Sequence, residues 1–264
     1  MAELFDSHAH YDDRRFLDTD EVPDRDALIK SIFDGGVGLI MNAASDIASS
    51  LTGIELSEKY DRFYSAAGIH PHEILSGGGM NDTLDTLKEL LLKDKVKALG
   101  EIGLDYHYDG DYKDEQKKWF RAQMELASDL DMPVIIHDRE AHGDCMEIIR
   151  EFPSVRGILH SFSGSVEMAH ELLKRGWYIS FSGVITFKNA SRILDVVKCI
   201  PKDRILIETD CPYLAPVPMR GKLNHSGYLK YTAMVAAQVR SEDYDAFCER
   251  TFRNTAQIYG IDIG

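Results

Sequence analysis

The sequence predicts an α/β protein built as a single TIM (β/α)8 barrel, and three observations predict it. Short apolar runs alternate with longer amphipathic segments along the whole chain, the rhythm of repeated βα units around a parallel sheet. The apolar runs number eight, the count at which such a sheet closes on itself. The chain has 264 residues, a length that suits one such barrel, and no Pro-, Gly- or Ser-rich linker divides it. Residues 1–264 are therefore read as one domain, in preference to two small domains or an open doubly wound sheet.

In chain order the expected strands are Leu4–Phe5, Val37–Ala43, Phe63–Gly68, Val96–Glu101, Pro133–His137, Gly157–His160, Tyr178–Phe181 and Arg204–Glu208. Helices are expected over Asp24–Asp34, Ile47–Lys59, Thr83–Lys93, Asp114–Asp129, Ala141–Glu151, Ser165–Arg175 and Asn189–Ile200, with two more at Leu229–Val239 and Tyr244–Tyr259. Start and stop signals support them: Ser165 precedes an acidic first turn at Glu167, and Gly176 follows the basic pair Lys174 and Arg175. Trp119, Phe120 and Trp177 fall on these patterns and read as core.

Composition narrows the function. With 44% hydrophobic and 28% charged residues the chain can bury a sizeable core, which excludes fibrous, disordered and membrane-embedded classes. No window approaches the roughly 20 apolar residues of a membrane span, and the N-terminal MAELFDSHAH has no apolar signal core. Cys145, Cys199, Cys211 and Cys248 are widely spaced and form no C-x-x-C pair, so a reducing, cytoplasmic setting is expected, with a monomer favoured. The net charge of -14 argues against a broad basic surface that grips nucleic acid by phosphate neutralisation alone.

The informative pattern is where histidines and carboxylates fall relative to the strands. His8 and His10 follow the first; Glu101, His137 and His160 end the fourth, fifth and sixth; Asp210 lies just beyond the eighth. In a parallel barrel those ends converge on the face where active sites are built. The period-two spacing of His8 and His10 points both imidazoles to one side, suited to a metal ion. Six ligands exceed the need of one ion that must leave a position open, so two ions are expected, with Glu101 bridging His8, His10 and Asp210 on one to His137 and His160 on the other. Paired ions roughly 3.5–4 Å apart serve hydrolysis, since they stabilise attacking and leaving oxygens together. Mg²⁺, Mn²⁺ and Zn²⁺ all suit the mixed ligand set.

Catalytic roles fall to Glu101 and to Asp210, which can take a proton from the attacking water and return it to the leaving group. Glu208, two residues earlier, is assigned to orienting that water or a ligand and is grouped with the substrate-binding residues. His70, Arg139 and Arg220 are assigned to an anionic substrate, because Arg matches phosphate oxygens bidentately; His72 and Lys222 lie nearby. His107, His142, His170 and His225 have no strand-end position and read as ordinary residues.

Six stretches then resemble the TatD family of metal-dependent deoxyribonucleases, in the amidohydrolase superfamily: Asp6-Ser7-His8-Ala9-His10, Gly68-Ile69-His70-Pro71-His72, Gly100-Glu101-Ile102-Gly103-Leu104-Asp105-Tyr106, Ile136-His137-Asp138-Arg139, His160-Ser161-Phe162-Ser163-Gly164 and Glu208-Thr209-Asp210-Cys211-Pro212-Tyr213-Leu214. The resemblance implies a TIM barrel with one or two divalent ions and a phosphodiesterase that removes nucleotides from DNA, often from the 3′ end; with a net charge of -14, the expected partner is a single strand or a strand end, engaged weakly. It places the family's metal ligands on His8, His10, Glu101, His137, His160 and Asp210. After Arg220-Gly221-Lys222 the chain keeps Asn224 but has His225-Ser226 where the family usually continues Glu-Pro. The alternative reading is a barrel hydrolase of a small amide, ester or lactone; a non-catalytic interaction module fits an accessible set of six ligands least well.

Overall fold

The computed structural model describes residues 2–17, 19, 22, 24–76, 78–107 and 110–264. Eight strands, β1 (Leu4–Ala9), β2 (Val37–Asn42), β3 (Phe63–Ala67), β4 (Val96–Asp105), β5 (Val134–Arg139), β6 (Gly157–Leu159), β7 (Tyr178–Phe181) and β8 (Ile205–Ile207), form one sheet in sequential order, and every adjacent pair is parallel. Closure comes from the far ends: the Asp210 N–H donates to His8 O at 3.0 Å, the His10 N–H donates to Cys211 O at 2.8 Å, and Ala9 and Cys211 bridge in parallel. Helices α1 (Arg25–Asp34), α2 (Ile47–Lys59), α3 (Met80–Leu91), α4 (Lys113–Asp129), α5 (His142–Glu151), α6 (Val166–Lys174) and α7 (Ser191–Cys199) lie between successive strands, and α8 (Leu229–Val239) and α9 (Tyr244–Tyr259) follow β8. This is the TIM barrel that the eight apolar runs predict.

Local chemistry sets the helix starts. Asp24, Asp46, Ser165 and Asp243 each accept a backbone N–H of the following first turn. Gly176 has φ +82°, the left-handed conformation that lets the chain leave α6 without a Cβ penalty. Trp119, Phe120 and Trp177 are buried in the layer between helices and sheet.

A second buried cluster fixes the barrel axis. Phe5, Met41, Ala66, Ala98, Ile135, Ile158, Tyr178 and Leu206 supply one residue from each strand, and Ala256, Ile258 and Tyr259 of α9 pack against them. Side chains two residues further along a strand share its face, so the next layer toward the strand ends contains Ser7, His137, His160, Ser180 and Glu208. An apolar plug thus sits beneath a polar floor, and the chemistry lies at the C-terminal mouth.

Three strand boundaries depart from expectation. β1 continues through Ala9 because its polar residues find partners across the barrel: Ser7 Oγ donates to Ile207 O, and Asp6 accepts both the N–H and the hydroxyl of Thr209. β4 runs four residues past Glu101 to Asp105, and β5 extends beyond His137 to Arg139. Gly103 permits that extension. It has φ +137° and pairs with His137, and a Cβ there would stand 2.0 Å from the His137 carbonyl oxygen.

Candidate active site

Irregular register delivers the first ligands. The β1–β2 pairing shifts between Asp6 and Ala9, and the β4–β5 pairing shifts between Leu99 and Ile102. Such irregularities re-aim side chains, and these two turn His8 and Glu101 into the mouth beside His137 and His160. Asp210, at φ +58° just after β8, completes the group.

Glu101 is the geometric centre. Its Oε2 lies 3.3 Å from His8 Nε2 and 3.6 Å from His10 Nε2, while its Oε1 lies 2.7 Å from His137 Nδ1, 2.8 Å from His160 Nε2 and 3.7 Å from His70 Nε2. Asp210 Oδ1 lies 3.6 Å from His8 Nε2 and 3.3 Å from His10 Nε2, and those two nitrogens are 3.0 Å apart. Each oxygen of one carboxylate therefore faces a different cluster.

The spacing tests whether divalent ions fit. A tetrahedral site with bonds of about 2.0–2.2 Å has donors about 3.3–3.6 Å apart. His8 Nε2 and His10 Nε2 are 3.0 Å apart, and each lies 3.3–3.6 Å from Glu101 Oε2 and from Asp210 Oδ1. On the other side His137 Nδ1 and His160 Nε2 are 3.3 Å apart and share Glu101 Oε1. The trios His8, His10, Glu101 and His70, Glu101, His137 could each hold an ion, and imidazole with carboxylate is the donor chemistry of Zn²⁺ and Mn²⁺.

Neighbouring groups orient the rings. His10 Nδ1 lies 2.8 Å from Ala43 O, which turns Nε2 inward. His137 Nε2 lies 3.1 Å from Asp105 Oδ2, which turns Nδ1 toward Glu101. His160 Nδ1 lies 3.2 Å from Glu208 Oε1, which also accepts the Ser161 N–H at 2.7 Å. The His8 ring stacks on His160 with centroids 4.0 Å apart, and its buried Nδ1 has no hydrogen-bond partner among the described residues. Second partners that fix the ring orientation are the usual setting of a metal-binding imidazole.

The buried carboxylates and imidazoles fix one another's charge. Burial would raise the Glu101 carboxyl, yet the charges of His160 and His8 and the hydrogen bonds of His137 and His160 outweigh it and hold it well below its ordinary range. Burial likewise opposes ionisation of Asp210, but His10, His160 and His8 keep it low. Burial disfavours charge on His10 as well, and the Asp210 and Glu101 carboxylates reverse this, raising it to about 9. His70 goes the other way: burial and the His137 charge push it well below its usual value, so it stands as neutral imidazole.

The six expected ligands are thus brought together, and four other assignments take definite places. His70 packs against Glu101 and His137, with ring centroids of His70 and His137 4.5 Å apart, inside the cluster and not at a separate substrate surface. Glu208 is fully buried beneath His160, with Oε1 3.2 Å from His160 Nδ1, and with His8 and His160 it forms a further trio that could hold an ion. Arg220 donates to Ala215 O and stacks over Phe187 at 4.1 Å, so its guanidinium braces its own loop. Arg139 ends β5 at the exposed rim. His107 and His142 pair with Glu140 and Asp138 outside the cluster.

Sequence reasoning missed Asp105. It is fully buried, its Oδ2 faces both His137 Nε2 and His72 Nε2 at 3.1 Å, and its Oδ1 accepts the His107 N–H. The signal was present, since Asp105 stands four residues after Glu101 on a strand whose side chains repeat every two.

The barrel and its convergent imidazole–carboxylate mouth define a metal-dependent hydrolase. The profile of the family described as TatD related DNase matches residues 5–260, and the chain belongs to that family. It is 40% identical over 262 residues, covering 98% of this chain and 100% of the other, to the uncharacterized metal-dependent hydrolase YabD of Bacillus subtilis. It is 31% identical over 247 residues, 90% of this chain and 94% of the other, to the 3′-5′ ssDNA/RNA exonuclease TatD of Escherichia fergusonii. The crystal structure of YjjV, a TatD homologue from Escherichia coli, superposes with a TM-score of 0.88 at 28% identity and 98% coverage of both chains. Among the described residues no helix is long and apolar enough to cross a membrane.

Proposed function

We propose that this protein is a divalent-metal-dependent deoxyribonuclease that trims single strands or strand ends of DNA from the 3′ end, acting in the cytoplasm as a monomer. The observation that carries the reading is Glu101, with Oε2 turned to His8 and His10 and Oε1 to His137 and His160. A carboxylate shared between two sets of imidazoles suits a pair of ions, the arrangement that serves in-line displacement at phosphorus. The relative named as a 3′-5′ ssDNA/RNA exonuclease, matched over most of both chains, points to the same substrate class.

His8, His10, Glu101 and Asp210 would hold one ion, and Glu101, His137 and His160 the other. Mg²⁺, Mn²⁺ or Zn²⁺ bound there supplies Lewis acidity toward phosphate oxygens and lowers the pKa of water. The Asp210 carboxylate, through the oxygen not turned to the ion, accepts a proton from the attacking water and returns it to the leaving 3′-oxygen of the chain. Its carboxyl is suited to the first step because the neighbouring imidazoles keep it ionised. Glu208 and Asp105 hold the His160 and His137 rings, and Arg139 at the exposed rim would meet a phosphate of the incoming strand. The net charge of -14 leaves no broad basic track, which fits weak engagement of a strand end. Four cysteines without disulfides fit a reducing compartment.

The test is incubation of metal-free protein, with and without Mg²⁺, Mn²⁺ or Zn²⁺, with end-labelled single-stranded DNA, duplex DNA and RNA. Metal-dependent shortening from the 3′ end is expected. Uncut nucleic acid together with turnover of amide, ester or lactone substrates would replace the nuclease reading with a carbonyl hydrolase.

A further inference from the structure

Beside the metal cluster, one exposed aromatic ring has no role in the chemistry described above. Tyr213 lies in the loop after β8, three residues beyond Asp210, and remains 47% exposed. Its ring centroid is 6.1 Å from that of His10, edge to face. The Arg15 guanidinium, from the loop after β1, stacks on the ring at 4.1 Å.

The pair is rigid. The Tyr213 N–H donates to Asp210 O at 2.9 Å, and Tyr213 O accepts Asn224 Nδ2 at 2.6 Å. Asn224 Nδ2 also donates to Thr209 O at 2.9 Å, so backbone bonds tie the ring's position to the strand end that carries Asp210. Asp13 anchors the outer side: it receives Arg15 Nε and Nη2 at 3.0 and 2.8 Å and the Tyr213 hydroxyl at 3.3 Å. Because Asp13 offsets the Arg15 charge, the pair presents flat π surface and no net positive charge. Such a surface suits a base better than a phosphate.

We propose that Tyr213, backed by Arg15, is the stacking platform for the base of the terminal nucleotide whose phosphodiester is cut, and that it makes an unpaired end the preferred substrate. This rests on the nuclease reading of the same site. Stacking on an aromatic ring tolerates any base but requires the base to leave its partner, so the platform selects single strands by shape and without sequence preference.

The test compares two oligonucleotides, one intact and one with an abasic tetrahydrofuran residue at the end the enzyme trims, on wild type, Tyr213→Ala and Tyr213→Phe. The wild type should favour the intact end by about 5- to 150-fold in kcat/KM. In Tyr213→Ala that ratio should fall to about one and the preference for single over blunt duplex ends should shrink with it, whereas Tyr213→Phe, which keeps the ring and loses only the hydroxyl bond to Asp13, should behave as wild type. An alanine variant that loses the same factor on both oligonucleotides, or that keeps the wild-type ratio, overturns the platform while leaving the nuclease intact. A wild type that cuts neither oligonucleotide with any of the three metals overturns both.

Discussion

Replacing Asp105 by Asn tests whether a buried carboxylate outside the ligand set controls one ion and not the other. The two Asp105 oxygens have different duties: Oδ1 accepts the His107 N–H at 2.8 Å, and Oδ2 faces His137 Nε2 and His72 Nε2 at 3.1 Å. An amide of the same shape has one oxygen and one NH2 group, so it cannot accept on both sides. If the NH2 turns to the imidazoles, His137 must keep Nε2 unprotonated and carry its proton on Nδ1, the nitrogen that faces Glu101 Oε1 and His160. A protonated Nδ1 cannot bind a cation. If the NH2 turns to His107, a part-buried backbone donor loses its acceptor, at a cost of about 1 kcal/mol. Loss of an outer partner of a ligating histidine typically weakens metal binding 10- to 100-fold, or about 1.4–2.7 kcal/mol. Titration of metal-free protein against a chelating dye should show that loss for the ion of His137 and His160, with the ion of His8, His10 and Asp210 within about threefold of wild type. Equal weakening of both ions, or an unchanged second affinity, would refute the argument.

Three further outcomes follow from the same geometry. Glu101→Ala should lose both ions and activity, whereas Asp210→Asn should retain at least one ion by metal analysis while turnover falls about 100-fold or more; full occupancy in the Glu101 variant would exclude a bridging carboxylate. Gly103→Ala places a Cβ 2.0 Å from His137 O at φ +137°, and should cost about 4 kcal/mol, read as a melting temperature lower by about 10 °C. His225 caps the 3-10 turn Ser226–Tyr228 by accepting the Gly227 N–H on Nδ1, and burial together with the Lys230 charge lowers it from 6.5 to about 4. The folded state therefore resists protonation: this group costs nothing above pH 6.5 and removes stability as pH falls toward 4, about 2.5 kcal/mol by pH 4.5. Urea unfolding of wild type against His225→Asn, which can cap without titrating, should show that difference at pH 4.5 and none at pH 8.

The barrel was legible because each strand carries a short apolar run, a pattern that survives without tertiary information. The ring of Phe5, Met41, Ala66, Ala98, Ile135, Ile158, Tyr178 and Leu206 is a sequence property of every strand, and so is the step of two that leads from Ile135 to His137, Ile158 to His160 and Leu206 to Glu208. The ends of β1 and β4 were not legible by that rule. Asp6, Ser7 and His8 look like the residues of a loop until Thr209, Ser180 and Ile207 are known to receive them from across the barrel. Gly103 likewise reads as a strand breaker, although its missing Cβ is what lets β5 approach.

The same distinction separates the residues that strand counting brings to the mouth from those whose place it left open. A metal ligand needs only the right atom at a strand end, and strand ends can be counted; a residue that acts through another needs a distance. Asp105 matters because of His137, Glu208 because of His160, and Tyr213 because of Arg15, contacts spanning 32, 48 and 198 positions. The charge balance carries the same lesson. Asp6, Glu101, Asp105 and Glu208 are buried at or behind the mouth, so part of the acidity behind the net charge of -14 is absent from the surface a strand would meet. Part of it is instead concentrated where two divalent cations would bind, and a polyanion drawn to those cations needs no basic surface beyond the rim.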